Sequence, residues 1–341
     1  MATVDAAASL RLLSEARHLV DTGRYAALVA FAESLPPEHV RQSPTLALLL
    51  GIAHSRLGAP VPAKRWALRA LALASERADR AVEARALNVC GAIELARGEV
   101  AKAEEFFNRA LAEADRLGDH ATVGRCSNNL GIIANLRGEH GQALGWHTMA
   151  IAAFQRAGWP KGAAEALHNL AHVHKDRGHW EAALRTADRA VEEAERAGDR
   201  ALLAAVRCGY ADIQRLAGFA AVARREVEWA LAVHRELSDR LGEAEDLRVL
   251  AGVRAALGEK AEAEQMYRDV VGRAEQGADP LLAAHAARDL ALLLASWDRR
   301  PEATEWANRA RAGFAALGAV AEIRRLDLAL LPLRRAAVTR G

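Results

Sequence analysis

Between residues 160 and 200 the apolar positions fall into a clear pattern. Leu167, Leu170, Ala171 and His174 stand at i, i+3, i+4 and i+7, the spacing of a helix that buries one face. Gly178, able to adopt left-handed dihedrals, is placed to end that helix. A second helix is expected from about Trp180 to Ala197, with Ala183, Leu184, Ala187 and Ala190 inward. Gly198 then serves as C-cap and Asp199 as N-cap of the next helix. The same closure recurs at Gly118-Asp119, Ser238-Asp239 and Ala278-Asp279. Small inward residues let two helices cross closely, so the unit is a tight antiparallel pair.

This unit repeats. Gly51, Gly91, Gly131, Ala171, Ala211, Ala251 and Ala291 are spaced 40 apart without a slip. Twelve residues after each stands an alanine, from Ala63 to Ala303, and seven after each stands a glycine, from Gly58 to Gly258, broken only by Asp298. An earlier, shorter unit uses Ala16 as anchor and Gly23 as break, with Pro36-Pro37 in its linker. After the last unit, "AEIRRLDLALLPLRRA" makes an amphipathic helix over 319–337 that can cap the open end. No single pair can bury its own faces, whereas stacked pairs bury a continuous core. The expectation is an all-α solenoid of eight helix pairs plus a cap, one domain over 1–341, with units anchored near 16, 51, 91, 131, 171, 211, 251 and 291.

Composition agrees and removes several functions. Alanine, arginine, leucine and glutamate dominate, all good helix formers. Net charge is only +2, with acids and bases interleaved, so a nucleic-acid partner is not expected. Apolar runs such as "LALLLGIA" from Leu46 are too short to span a bilayer, so no membrane is expected. The first residues lack the basic start and apolar core of a signal peptide. Cys90, Cys126 and Cys208 form no paired framework, which fits a reducing cytoplasm. Every glycine column breaks a helix and none follows a strand, so no phosphate loop or cofactor is expected. The tryptophans Trp66, Trp146, Trp180, Trp229 and Trp306 lie mostly on second helices, where packing between repeats is the expected use.

The Leu-Gly pair, the glycine break, the alanine twelve after the anchor and an aromatic four later resemble the tetratricopeptide repeat. "NLGIIANLRGEHGQALGWHTMA" and "GAIELARGEVAKAEEFFNRALAEA" carry the likeness best, the latter with Phe107 in the aromatic column. It covers roughly residues 10–320. The 40-residue period resembles the long-helix subgroup of kinesin light chains and bacterial peptide-sensing regulators. His147, Ala187 and Ala307 depart from the pattern by replacing the aromatic. The resemblance implies a right-handed superhelix whose concave groove, lined by first helices, holds a peptide or protein segment, with no catalytic residues. It also allows self-association through the terminal helices. The family's clamp for chaperone tails needs a Lys and Asn, then an Asn, then a Lys and Arg on successive repeats. Glu165 and Asn169 stand in the third set of columns, so that clamp is rejected.

The side of each first helix opposite the buried stripe supplies the groove candidates. They are Arg85 and Asn88; Arg125, Asn128, Asn129 and Asn135; Glu165, His168, Asn169, His172, Lys175 and Asp176; Asp212 and Arg215; and Arg248, with Ile132, Glu245, His285 and Arg288 in the same columns. A carboxamide offers both donor and acceptor, so the asparagines suit a peptide backbone, and Arg85 and Arg125 suit a carboxylate. Within "HNLAHVHKD", His168 and His172 are four apart and share a face, whereas His174 turns towards the buried stripe and is read as packing. Cys208 and Asp212 occupy the columns of His168 and His172 one repeat on, so these four could converge on a metal or pair a thiol with a base. The alternatives to a peptide groove are therefore a small metal-binding or catalytic site there, or a structural subunit that binds through its convex face or end cap.

Overall fold

The computed structural model describes the backbone of residues 2–277 and 279–338 and the side chains of 10–277 and 279–331. Ala278 of the third closure and the last side chains of the cap lie outside the described residues. The fold is an all-α solenoid of consecutive helix pairs; among the described residues there is no strand. Its contacts divide it into two compact units, residues 1–130 and 131–341.

The first unit holds α1 (Ala2–Asp21) and α2 (Tyr25–Glu33), a short linker helix α3 (Pro37–Gln42), and the pairs α4 (Pro44–Arg56) with α5 (Pro60–Glu76) and α6 (Arg80–Ala96) with α7 (Val100–Leu117). The unit boundary falls within α8 (His120–Arg137). Pro37 sits in the first turn of α3, so the Pro36-Pro37 linker begins a helix because proline gives up only a donor that the first turn leaves unused. Ala16, Leu28, Leu46 and Leu50 form the first core cluster.

The second unit begins with the end of α8. It continues through α9 (His140–Arg156), α10 (Pro160–Asp176), α11 (Trp180–Ala197), α12 (Arg200–Leu216) and α13 (Ala220–Glu236). Then come α14 (Arg240–Ala256), α15 (Lys260–Gln276), α16 (Pro280–Ala295), α17 (Arg300–Ala316) and the C-terminal α18 (Val320–Val338).

The columns have physical reasons. Ala63, Ala103, Ala143, Ala183, Ala223 and Ala263 are each fully buried, at points where nothing larger than a methyl fits between crossing helices. At Gly91 and Gly131 the residue sixteen on packs onto the anchor. A Cβ on Gly91 would stand 2.6 Å from the Phe107 ring, and one on Gly131 would stand 2.6 Å from the His147 ring. Where the opposing residue is Ala187 or Val227, the anchors Ala171 and Ala211 carry a Cβ.

The breaks follow the same logic. Gly58, Gly98, Gly138, Gly178, Gly218 and Gly258 all have positive φ, and Asp298 takes φ 61° in the glycine's place. The second break column holds Gly118, Gly158, Gly198 and Gly318, with Ala78 at φ 53° and Ser238 at φ 56°. Asp79, Asp119, Asp199, Asp239 and Asp279 accept backbone N–H groups at the starts of α6, α8, α12, α14 and α16, so the expected N-caps form.

Candidate functional site: a polar cavity closed by the C-terminal helix

First helices stack so that a side chain on one reaches its counterpart about one repeat on. In the first unit this ladder consumes several groove candidates. Asn88 is buried, and its Oδ1 accepts from Asn129 Nδ2 at 3.2 Å and from Cys126 Sγ at 3.5 Å. Asn128 is buried as well, and Arg85 pairs with Asp119 at 3.0 Å. Asn88 and Asn129 thus bond each other, which ties α6 to α8, before either can bond a ligand.

The second unit holds a partly open cavity of about 880 Å³. Asn135, His168, Asn169, His172, Lys175, Asp176, Asp212, Arg215 and Arg248 all line it, so nine candidates from α8, α10, α12 and α14 share one space; Glu165 is not among its lining residues. The lining continues to α16 with His285, Arg288 and Asp289 and to α18 with Glu322 and Arg325, well beyond the repeats that the asparagine columns marked. Trp180, Leu216, Leu241 and Leu281 add exposed apolar surface to its wall.

Charges inside the cavity are paired one by one. Asp212 is held by Lys175 Nζ at 3.1 Å and by Arg215 Nη2 at 2.6 Å. Burial alone would raise its carboxyl, but Lys175, Arg215 and Arg248 hold it well below the ordinary range. Arg248 meets Asp289 at 2.6 Å and Glu245 at 2.7 Å. Arg288 meets Asp289 at 2.8 Å and Glu322 at 2.6 Å. Glu322 also meets Arg325 at 2.7 Å, and Arg325 reaches Asp176 at 2.8 Å. Asn135 Nδ2 donates to the second oxygen of Asp176 at 3.1 Å. The wall therefore offers dipoles and matched ion pairs, with neither sign in large excess.

His168 and His172 lie edge to face, with ring centroids 4.5 Å apart. Both rings pack on Gly209 of α12, where a Cβ would come within 2.2 Å of the His168 ring. Burial, with Lys175 adding to it, pulls the His168 imidazole down to about 4 and His172 well below its ordinary value. Both are neutral at pH 7, so each ring carries one donor and one acceptor. His174 is only half-buried, beside His179 with centroids 6.4 Å apart, so the packing role expected of it is partial.

The four-residue convergence expected of His168, His172, Cys208 and Asp212 is not formed. Among the described residues no three His, Cys, Asp or Glu side chains are placed to share a metal ion. The backbone at Gly209, one residue past Cys208, receives the histidine rings, while the Cys208 thiol bonds the Asp246 carboxylate on the other side. Burial and Asp246 push that thiol well above its ordinary value, which makes it a poor nucleophile. Asp246 in turn bonds His234 Nδ1 at 2.6 Å, both fully buried. Column logic does not find this Cys208–Asp246–His234 chain, because His234 lies on a second helix.

A family model described as tetratricopeptide repeat matches residues 82–156. No curated protein matches the chain significantly. Among solved structures, a Rap protein complexed with Competence and Sporulation Factor is 13% identical, with TM-score 0.62, over 96% of this chain and 99% of that one. A Rap conjugation regulator of plasmid pLS20 in complex with a Phr peptide is 15% identical, with TM-score 0.66, over 84% of this chain and 76% of that one. Aspartyl phosphate phosphatase F from Bacillus subtilis is 11% identical, with TM-score 0.56, over 95% and 92%. At such identities these likenesses show the fold. Residues 82–156 thus match the tetratricopeptide repeat, and the 40-residue columns continue the same helix-pair pattern on either side of them.

Proposed function

We propose that the protein is a binding scaffold and regulator that holds an extended peptide or protein segment in the cavity of its second unit. The observation that carries this is the make-up of the cavity wall. Asn169 and the neutral His168 and His172 supply hydrogen-bonding groups, beside exposed apolar surface from Trp180, Leu216 and Leu241. Such a wall suits a backbone plus a few side chains better than a polyanion or a lipid. Complexes of Rap proteins with peptides on the same fold support the reading. Among the described residues no helix is long and apolar enough to cross a membrane, and the three cysteines are free and buried. We place the protein's work in the cytoplasm and assign it no cofactor and no catalytic step.

Affinity capture from the native host tests this. Asn169→Ala in the cavity should lose the captured segment while keeping helicity by far-UV circular dichroism, and Asn129→Ala should weaken it less, since Asn129 is not among the cavity's lining residues. Undiminished capture by Asn169→Ala would count against the groove. It would favour binding through the outer face of α18, where Val320, Leu328 and Leu331 are exposed. That face is also where self-association would occur, read out by sedimentation velocity.

A further inference from the structure

The C-terminal helix does more than cover the last repeat. On one side α18 meets α16 through Arg288 Nη1 and Glu322 Oε2 at 2.6 Å. Its other side crosses to the far wall. Arg325 Nη1 reaches Asp176 Oδ1, at the end of α10, at 2.8 Å. Ala321 stands against Gly138 at the end of α8, where a Cβ would come within 3.3 Å. A cap that only shielded the end of the stack would need the first contact and not the other two.

The chain of partners is continuous. It runs from Arg288 through Glu322 and Arg325 to Asp176, whose second oxygen takes the Asn135 amide. These side chains are mostly sequestered, with Glu322 and Asp176 showing 11% and 10% of their side-chain surface, so the pairs are only weakly screened. Opening any one of them leaves a largely buried charge without its partner.

We propose that α18 is a clasp that ties the two walls of the second unit together, and that its release at the Arg325–Asp176 pair widens the cavity into an open groove. The regulatory consequence rests on the reading of the cavity as a ligand groove. With α18 in place the side entry is narrowed; with it released, a segment can be laid in from the side. Glu322 and Arg325 hold sites on Arg288 and Asp176 that a charged ligand would otherwise meet, so the clasp opposes binding until it is released.

Hydrogen exchange on the full chain, without any ligand, tests the clasp separately from the ligand reading. Asp176→Asn removes the far-side contact and leaves Arg288 and the packing on α16 and α17 untouched. The clasp requires exchange across residues 320–331 to speed up at least fivefold, together with the turn at 136–140, while α14 keeps its wild-type rates. Arg325→Gln must reproduce that pattern, and the double variant must be no faster than the faster single one, because both changes open the same pair. Wild-type exchange in 320–331 in both single variants, or effects that multiply in the double, would overturn the clasp. Unchanged α14 rates keep misfolding from being mistaken for release. If α18 behaves as required but capture is lost for no groove substitution, the clasp stands and the peptide groove fails.

Discussion

His147 is a histidine where the repeat pattern calls for an aromatic, and the pH dependence of stability should reveal it. The ring is 1% exposed and lies on Gly131 as the Phe107 ring lies on Gly91. Burial pulls the imidazole from an ordinary 6.5 down to about 4. Between those values the unfolded chain binds a proton that the folded chain refuses, so the stability contributed by neutral His147 is present above pH 6.5 and lost as pH falls towards 4. Taken to pH 4.5, this group alone removes about 2.5 kcal/mol relative to pH 7.5. Phe fits the site, as Phe107 demonstrates on the equivalent glycine, so His147→Phe should cancel that loss. The assay is urea unfolding at both pH values for wild type and variant. The difference of differences matters, since His168, His172 and His285 titrate in both proteins and any packing cost common to the two pH values drops out. An identical pH dependence in the two proteins would refute the argument that His147 is kept neutral by burial.

Asp212→Ala leaves Lys175 and Arg215 facing each other without their shared carboxylate, and should cost about 3–5 kcal/mol in the unfolding of the second unit, measured by urea titration. Gly91→Ala drives a methyl into the Phe107 ring and should cost about 1–3 kcal/mol, whereas the same change paired with Phe107→Leu should cost less than the sum of the two. Ala78 and Asp298 hold left-handed backbone that their side chains disfavour, so Ala78→Gly and Asp298→Gly should each raise stability by up to about 1 kcal/mol in thermal unfolding.

Local features of the fold were legible along the chain because each has a local cause. A glycine seven after all but the last anchor marks a left-handed turn, an aspartate after most second breaks caps a helix, and the anchors Gly91 and Gly131 leave room for the rings opposite them. The curvature that brings α18 to α10 is a sum of small rotations over four helix pairs, and no single residue carries it. Glu322 and Arg325 therefore look, in sequence, like ordinary charges on a capping helix, although they pair across to Arg288 and Asp176. Column logic also ranks positions by repeat and ignores which way a helix is turned about its axis. It sets Cys208 beside His168, whereas the rotation of α12 turns Gly209 to the histidines and the thiol to Asp246. The asparagines also meet off their columns: Asn88 bonds Asn129, one position past its counterpart Asn128.

The central claim is that the cavity of the second unit, rather than the convex surface or the end cap, takes the partner segment. A photoreactive benzoylphenylalanine placed at Leu216, on the cavity wall, and in parallel at Trp229, on the outer helix α13, tests it directly in host lysate. Cross-linked segments identified by mass spectrometry at 216 and absent at 229 are the predicted result. Equal cross-linking at both positions, or at 229 alone, would contradict the account.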